Sequence, residues 1–308
     1  IIIKMLIKKF WNKLFNYKNY KFLKHNENIK KTLLEFKTNI EPYLLEIEKK
    51  INSNRPLSFL HSGHAGDIIN ALPVIKEISK NHECNLYIQT NKPLETQYLK
   101  HPSKDVYLND KSFEMLEPLL NFQKFIKKIE KYNQQEIDIN FDLFRIIPIN
   151  ILFDNLRYAS QITGVQPNFD EKYLDAPSHT ELKDKVVIQR TFRYRNQFIN
   201  YKFLNDFKDI YFVGNLEEYN DLKKTVANLK FYECRDFLDM ASAIKSSKFF
   251  IGNSSVGFPI AEGLKVPRLL EACPYFPAAI PHGKNAYDFY YQIHFEKYFK
   301  KLYEKKID

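Results

Sequence analysis

Residues 57–80, L-S-F-L-H-S-G-H-A-G-D-I-I-N-A-L-P-V-I-K-E-I-S-K, change hydrophobic period part-way along. Leu57, Phe59 and Leu60 form a short apolar run. Ile68, Ile69, Leu72, Ile75 and Ile78 then recur at helical spacing. A strand, a tight loop and a helix in that order are the opening unit of a doubly wound α/β domain, whose ligands sit at the carboxyl ends of the strands. Gly63 and Gly66 in the loop let backbone N–H groups approach a ligand closely. Asp67 stands where the helix begins, where a carboxylate is favoured by the helix dipole and caps the first turn. Two roles fit it, a helix cap and a catalytic carboxylate.

The same grammar runs along the chain twice. In the first half, strands are expected near 57–61, 84–89, 105–108 and 137–142, with helices near 68–80, 112–131 and 149–163. Strands alternating with helices imply a parallel sheet covered on both faces. A polar stretch, 166–184, reads as a linker. The second half restarts with K-V-V-I-Q, D-I-Y-F-V-G, L-K-F-Y-E, K-F-F-I-G and P-R-L-L-E-A as strands, and with helices near 217–228, 236–246 and 255–264. With 308 residues the chain can build two cores. The expected organisation is a helical extension over 1–52 (two helices), an α/β domain over 53–165, the linker over 166–184, a second α/β domain over 185–285, and an aromatic-rich closing helix over 286–308 running back toward the first domain.

The second half carries the stronger binding pattern. In F-F-I-G-N-S-S-V-G-F-P-I-A-E-G-L a strand ends at Gly252, small polar residues turn the chain, and a helix starts near Val256. Backbone N–H groups with the Ser254 and Ser255 hydroxyls at a helix N-terminus form a diphosphate cradle, and Asn253 belongs to the same turn. Simple capping by Asn or Ser is the competing reading. Arg190, Arg193 and Arg195 follow the first strand of this half, where the topology faces a cleft. Guanidinium groups suit phosphate oxygens, although a solvated surface cluster has the same sequence. Gly214 ends the second strand, near the place of a nucleotide base. Glu262 lies two turns into the later helix, where a solvated helix residue is one reading. His61 and His64 flank the first loop as acceptor-binding or structural groups.

Several classes of chemistry find no support. The chain has no Asp-x-Asp and no His pair at ligand spacing on one helix, so no metal site is expected. The first loop lacks the G-x-G-x-x-G register of nicotinamide enzymes, and Ser62 lacks a nucleophile-elbow context. Cys84, Cys234 and Cys273 are scattered and odd in number, which fits a reducing compartment.

G-D-I-I-N-A-L-P, in which five residues separate Asp67 from Pro73, resembles the start of the heptosyltransferases (glycosyltransferase family 9). The resemblance implies a GT-B fold, two Rossmann-like domains facing a cleft, and an inverting, metal-independent transfer of sugar from a nucleoside-diphosphate donor to a glycan, lipid-linked or protein acceptor. In that family the Asp after the Gly is the proposed general base, which is Asp67 here. Acidic residues contact the donor ribose in many GT-B glycosyltransferases, and the resemblance implies that contact for Glu262. Asn253-Ser254-Ser255 stands where the family has Asp-Thr-Gly, and Phe258 where it usually has His. Gly252-Asn253-Ser254-Ser255 also resembles the hydrolysing UDP-N-acetylglucosamine 2-epimerases of the same fold. A non-catalytic module that binds sugar nucleotide or membrane is the third reading. No cofactor is expected beyond the donor substrate.

Charge is concentrated at one end. Residues 1–31 carry nine lysines and one acid, Glu27, and so hold +8 of the net +10. Ile3, Leu6, Ile7, Phe10, Trp11, Leu14 and Phe15 recur there at helical spacing. A basic amphipathic helix fits an anionic membrane surface, and equally a helix packed on the body with its lysines solvated. The body has no basic patch and no nucleic-acid reading motif. The expected location is cytoplasmic, with the basic helix able to hold the chain on the cytoplasmic membrane face.

Overall fold

The computed structural model describes residues 2–94, 103–146, 154–276 and 278–304. Three helices open the chain: α1 (Ile2–Phe15), α2 (Tyr17–Asn39) and α3 (Glu41–Ile51), one more than the sequence pattern implied. The extra break falls at Ile40, which is buried, and Pro42 follows in the first turn of α3, a position proline tolerates. Then come β1 (Leu57–His61), α4 (Ala65–Ile78), β2 (Cys84–Ile88), α5 (Asp110–Asn121), β3 (Lys128–Lys131), β4 (Ile139–Asn140) and α6 (Tyr158–Thr163). These four strands form a parallel sheet in the order β3-β2-β1-β4.

The second half comprises β5 (Val186–Gln189), β6 (Ile210–Val213), α7 (Leu216–Lys223), β7 (Lys230–Tyr232), α8 (Phe237–Ser246), β8 (Phe249–Asn253), α9 (Gly257–Leu264), β9 (Arg268–Glu271), β10 (Ala286–Phe289) and α10 (Gln292–Glu304). Its six strands are all parallel in the order β10-β9-β8-β5-β6-β7. The chain winds outward from β5 to β7, crosses back to β8, and winds outward the other way to β10. The order reverses between β5 and β8, and in the first sheet between β1 and β4. Those are the points where a doubly wound sheet leaves a crevice.

Four expectations are corrected. Residues 105–108 form no strand; Val106 makes only an antiparallel bridge to Pro93. The edge strand beside β2 is instead β3, inside the stretch expected to be helical to 131. α5 stops at Asn121, after Pro118 has removed one backbone donor, and K-I-E-K then pairs with β2 with only Ile129 buried. Residues 286–289 are a sixth strand, and α10 packs on β9 and β10 of the second sheet rather than on the first domain. The helix expected over 149–163 is described only as α6; 147–153 lie outside the described residues.

One apolar core runs through both halves. It joins Phe59, Ile69 and Leu72 to Phe237, Ile260 and Leu264, because α4 packs on α9 and α5 on α8. A second core, with Phe289, Phe295 and Phe299, lies on the other face of the larger sheet. The stretch 166–184 straps the halves together. Tyr173 and Leu174 donate their N–H groups to the Gly263 carbonyl, and Gln123 on the far side bonds the backbone of Asp175.

Candidate active site

The two crevices open into one cleft of about 490 Å³. His64, Gly66, Asp67 and Arg145 line it from the first half; Gln189, Arg193, Gly214, Glu218, Ser254 and Ser255 line it from the second.

The loop that carries Asp67 is built on His61. Leu57, Phe59 and His61 alternate onto one face of β1, so the imidazole is carried into the core and is fully buried. Its Nδ1 accepts the Gly63 N–H at 2.8 Å. Tyr158 donates its hydroxyl proton to the Asp67 carbonyl at 2.7 Å, so its oxygen accepts from His61 Nε2–H at 2.5 Å. This chain of bonds requires neutral imidazole, and burial pushes the His61 pKa down to about 4 against the pull of Asp142 and Asp67. A Cβ at Gly63 would lie 2.5 Å from His61 Cε1 and 2.9 Å from Asp67 Oδ2, so only glycine lets the two side chains close on the turn. His61 is therefore a scaffold group, not an acceptor contact.

Asp67 is half-buried at the third position of α4, where its Oδ2 accepts the His64 N–H at 3.1 Å. The cap role is thus real, and the residue still faces the cleft. His64 sits beside it, its Nδ1–H donating to the Tyr107 carbonyl at 2.7 Å. Burial lowers the His64 pKa, and the Arg193 charge lowers it further against the pull of Asp67, so the ring is neutral at neutral pH with its other nitrogen an acceptor.

Arg145 is the main group that sequence reasoning missed. It follows β4, at the switch point beside β1, on a 3-10 turn over 141–145. Its guanidinium lies over Tyr107 and Phe144, at 4.2 and 4.5 Å, and its Nη1 donates to Asp142 Oδ1 at 2.5 Å. Asp142 also accepts from Ser62 N–H at 3.1 Å, from the Ser62 hydroxyl, and from Lys92 at 3.0 Å. Burial opposes ionisation of Asp142, but these neighbours together hold it well below the usual carboxylate range. Arg145 thus places a fixed positive charge close enough to Asp67 to feel its field.

On the opposite wall, Asn253 clamps β8 to β5. Its Oδ1 accepts the Thr191 N–H at 3.1 Å and its Nδ2 donates to the Thr191 carbonyl at 2.9 Å. It is fully buried and makes no wall of the cleft, unlike Ser254 and Ser255 after it. Gln189 Oε1 accepts the Gly257 N–H at 2.7 Å, which fixes the start of α9. Glu218 is buried at the start of α7 and accepts the Phe192 N–H at 3.1 Å; burial raises its pKa against the pull of Arg195 and Arg193. Cys234 adds an apolar wall, its thiol pushed up to about 12 by burial and by the Asp239 and Asp236 charges.

Of the three arginines expected to meet phosphate, one reaches the cleft. Arg190 forms a bidentate pair with the buried Glu271, at 2.6 and 2.9 Å, over the Tyr201 ring. Arg195 donates to Asp221 at 2.5 Å and to the Thr191 carbonyl at 3.2 Å. Both brace the loop that presents Arg193. Glu262 is likewise structural: it is buried, bonds Arg268 Nε at 2.7 Å and pairs with Lys265, which leaves no carboxylate for a ribose. Among the described residues, no group of three His, Cys, Asp or Glu side chains is placed to hold a metal ion.

No protein-family model and no curated protein sequence matches the chain. Solved structures share its fold. A family 9 glycosyltransferase from Veillonella parvula superposes with a TM-score of 0.52 at 12% identity, over 83% of this chain and 90% of that one. The E. coli heptosyltransferase WaaC, bound to ADP-2-deoxy-2-fluoro heptose, gives 0.50 at 10% identity over 76% and 92%. E. coli ADP-heptose LPS heptosyltransferase II gives 0.50 at 11% identity over 81% and 98%. The fold is the heptosyltransferase-like GT-B arrangement of two Rossmann-like domains.

Proposed function

We propose that the protein is a glycosyltransferase that moves a sugar from a nucleoside-diphosphate donor to an acceptor hydroxyl, with Asp67 as general base. The observation that carries this reading is the placement of Asp67 at the first switch point across one cleft from Ser254, Ser255 and Arg193 at the second. The heptosyltransferase-like fold supports it, and one protein of that fold, WaaC, is solved with ADP-2-deoxy-2-fluoro heptose.

In this mechanism the diphosphate lies against Ser254 and Ser255, in the turn just before α9, with Arg193 beside it. The acceptor oxygen attacks the anomeric carbon from the side of Asp67 as the bond to the diphosphate oxygen breaks. The acceptor proton passes to the Asp67 carboxylate, and the electron pair of the broken bond leaves on the nucleoside diphosphate. Attack opposite the leaving group inverts the anomeric centre. Arg193 and the helix start stabilise the departing charge with fixed dipoles and a fixed cation, so no metal ion is required. His64, on the same loop as Asp67, forms part of the acceptor side of the cleft. A general base of this kind contributes about 10²–10⁴-fold.

The test is a thermal-shift panel of nucleotide sugars in EDTA, on the wild type and on Arg193→Ala. A donor raises the melting temperature by mass action when it binds the folded state. One donor family that stabilises the wild type, and the variant less, supports the reading; no shift with any donor refutes it. The stabilising donor is then incubated without acceptor. Rapid acceptor-free conversion at the sugar C2 would instead identify an epimerase.

A further inference from the structure

The N-terminal helices make a surface that the cleft does not explain. α1 and α2 pack as an antiparallel hairpin, with Asn19 Nδ2 donating to Asn12 Oδ1 at 2.8 Å and Lys9 paired with Glu27. That contact uses the face of α1 that carries Lys9 and Asn12. Ile7, Phe10, Trp11 and Leu14 fall at i, i+3, i+4 and i+7 on a different face, and they are 53, 62, 59 and 59% exposed. Phe15, at the turn into α2, is 73% exposed. α2 buries no residue of its own, and the extension is anchored instead through Ile40 and Ile47. Packing on the body therefore does not account for the stripe.

We infer that this stripe docks on the surface of an anionic lipid bilayer. The aromatic and aliphatic side chains would sit at the headgroup–acyl boundary, with the surrounding lysines on lipid phosphates. The charge selects the occupant. With nine lysines and one acid over residues 1–31, a second copy of the hairpin would bring like charge onto like. An anionic headgroup layer instead offers an apolar boundary and the opposite charge together. No described helix is long and apolar enough to cross a membrane, so the hairpin lies on the surface. This inference is independent of the catalytic reading and stands or falls separately from it.

Trp11 is the only tryptophan in the chain, so its emission reports the stripe without a label. The full-length chain is mixed with vesicles of equimolar phosphatidylglycerol and phosphatidylcholine, or of phosphatidylcholine alone, and sedimentation is read in parallel. The expected result is a blue shift and co-sedimentation with the anionic vesicles, weakened by added salt, with affinity for the neutral vesicles lower by about tenfold or more. Phe10→Ser/Leu14→Ser keeps the probe and should lower affinity by about tenfold or more. Lys13→Glu/Lys21→Glu should weaken the binding to anionic vesicles by about tenfold or more. All these positions are exposed, so the thermal unfolding of the body should not change, and circular dichroism checks that. No blue shift with anionic vesicles, or undiminished binding by both variants, overturns the inference. So does a blue shift that grows with protein concentration in the absence of lipid, which would make a second copy the occupant.

Discussion

Acidification should destabilise this protein through His61 before most carboxylates titrate. The ring is fully buried and held neutral: Nδ1 accepts from Gly63, and Nε2–H donates to Tyr158. Its folded pKa is about 4, against about 6.5 for an ordinary histidine. Between those values the unfolded chain binds a proton that the folded chain refuses, so stability falls as pH falls. Linkage gives a loss of about 2 kcal/mol by pH 5 and about 3 kcal/mol by pH 4 relative to pH 7. Asp142 does not share this window, because a depressed carboxylate loses its contribution only as pH falls below its unfolded value. The control is His61→Asn, which keeps an acceptor for Gly63 but cannot titrate. Urea unfolding followed by circular dichroism at pH 7, 6, 5 and 4 gives both stabilities. The variant should be less stable at pH 7 yet lose about 3 kcal/mol less than the wild type between pH 7 and pH 4. Parallel curves for the two proteins would refute the neutral-imidazole account of the loop.

Asp67→Asn should leave donor binding within about twofold and slow transfer by about 10²–10⁴-fold in a single-turnover assay with the identified donor and acceptor. Arg145→Met leaves Asp142 with Lys92 as its remaining direct cation partner; it should cost about 3 kcal/mol in denaturant unfolding and weaken acceptor more than donor binding. Gly257→Ala would place a Cβ 2.5 Å from Gln189 Oε1 and 2.9 Å from Phe250 Cζ, displacing the start of α9. It should cost about 1–3 kcal/mol of stability and weaken nucleotide-sugar binding in calorimetry, while Gly66→Ala, whose Cβ would meet Pro259 at an ordinary 3.5 Å, should fold normally.

Local pattern was enough for the strand–loop–helix around Asp67 and for five strands of the larger sheet, because each is a continuous apolar run closed by glycine or a polar turn. β3 was illegible: K-I-E-K has one buried residue, and its pairing with β2 is a long-range choice that no local period records. β10 was hidden among aromatic residues shared with the helix after it. The arginine cluster shows the larger difficulty. Local density of cations was visible, but Glu271 and Asp221, which occupy Arg190 and Arg195, lie 81 and 26 residues away. Of the three, Arg193 is the one that lines the cleft. Two signals could have been used. His61 shares the strand face of Leu57 and Phe59, which marks it as a core residue. Arg145 follows the strand that neighbours β1, where the switch-point rule places ligand contacts.

The central claim is that the cleft holds a nucleoside-diphosphate sugar with its reacting carbon toward Asp67. A crystal structure with the donor found in the thermal-shift panel tests it most directly. The account predicts diphosphate oxygens within hydrogen-bond distance of the Ser254 and Ser255 hydroxyls and of Arg193, and the anomeric carbon facing the Asp67 carboxylate across room for one hydroxyl. A diphosphate bound elsewhere, or an anomeric carbon turned away from Asp67, would contradict it.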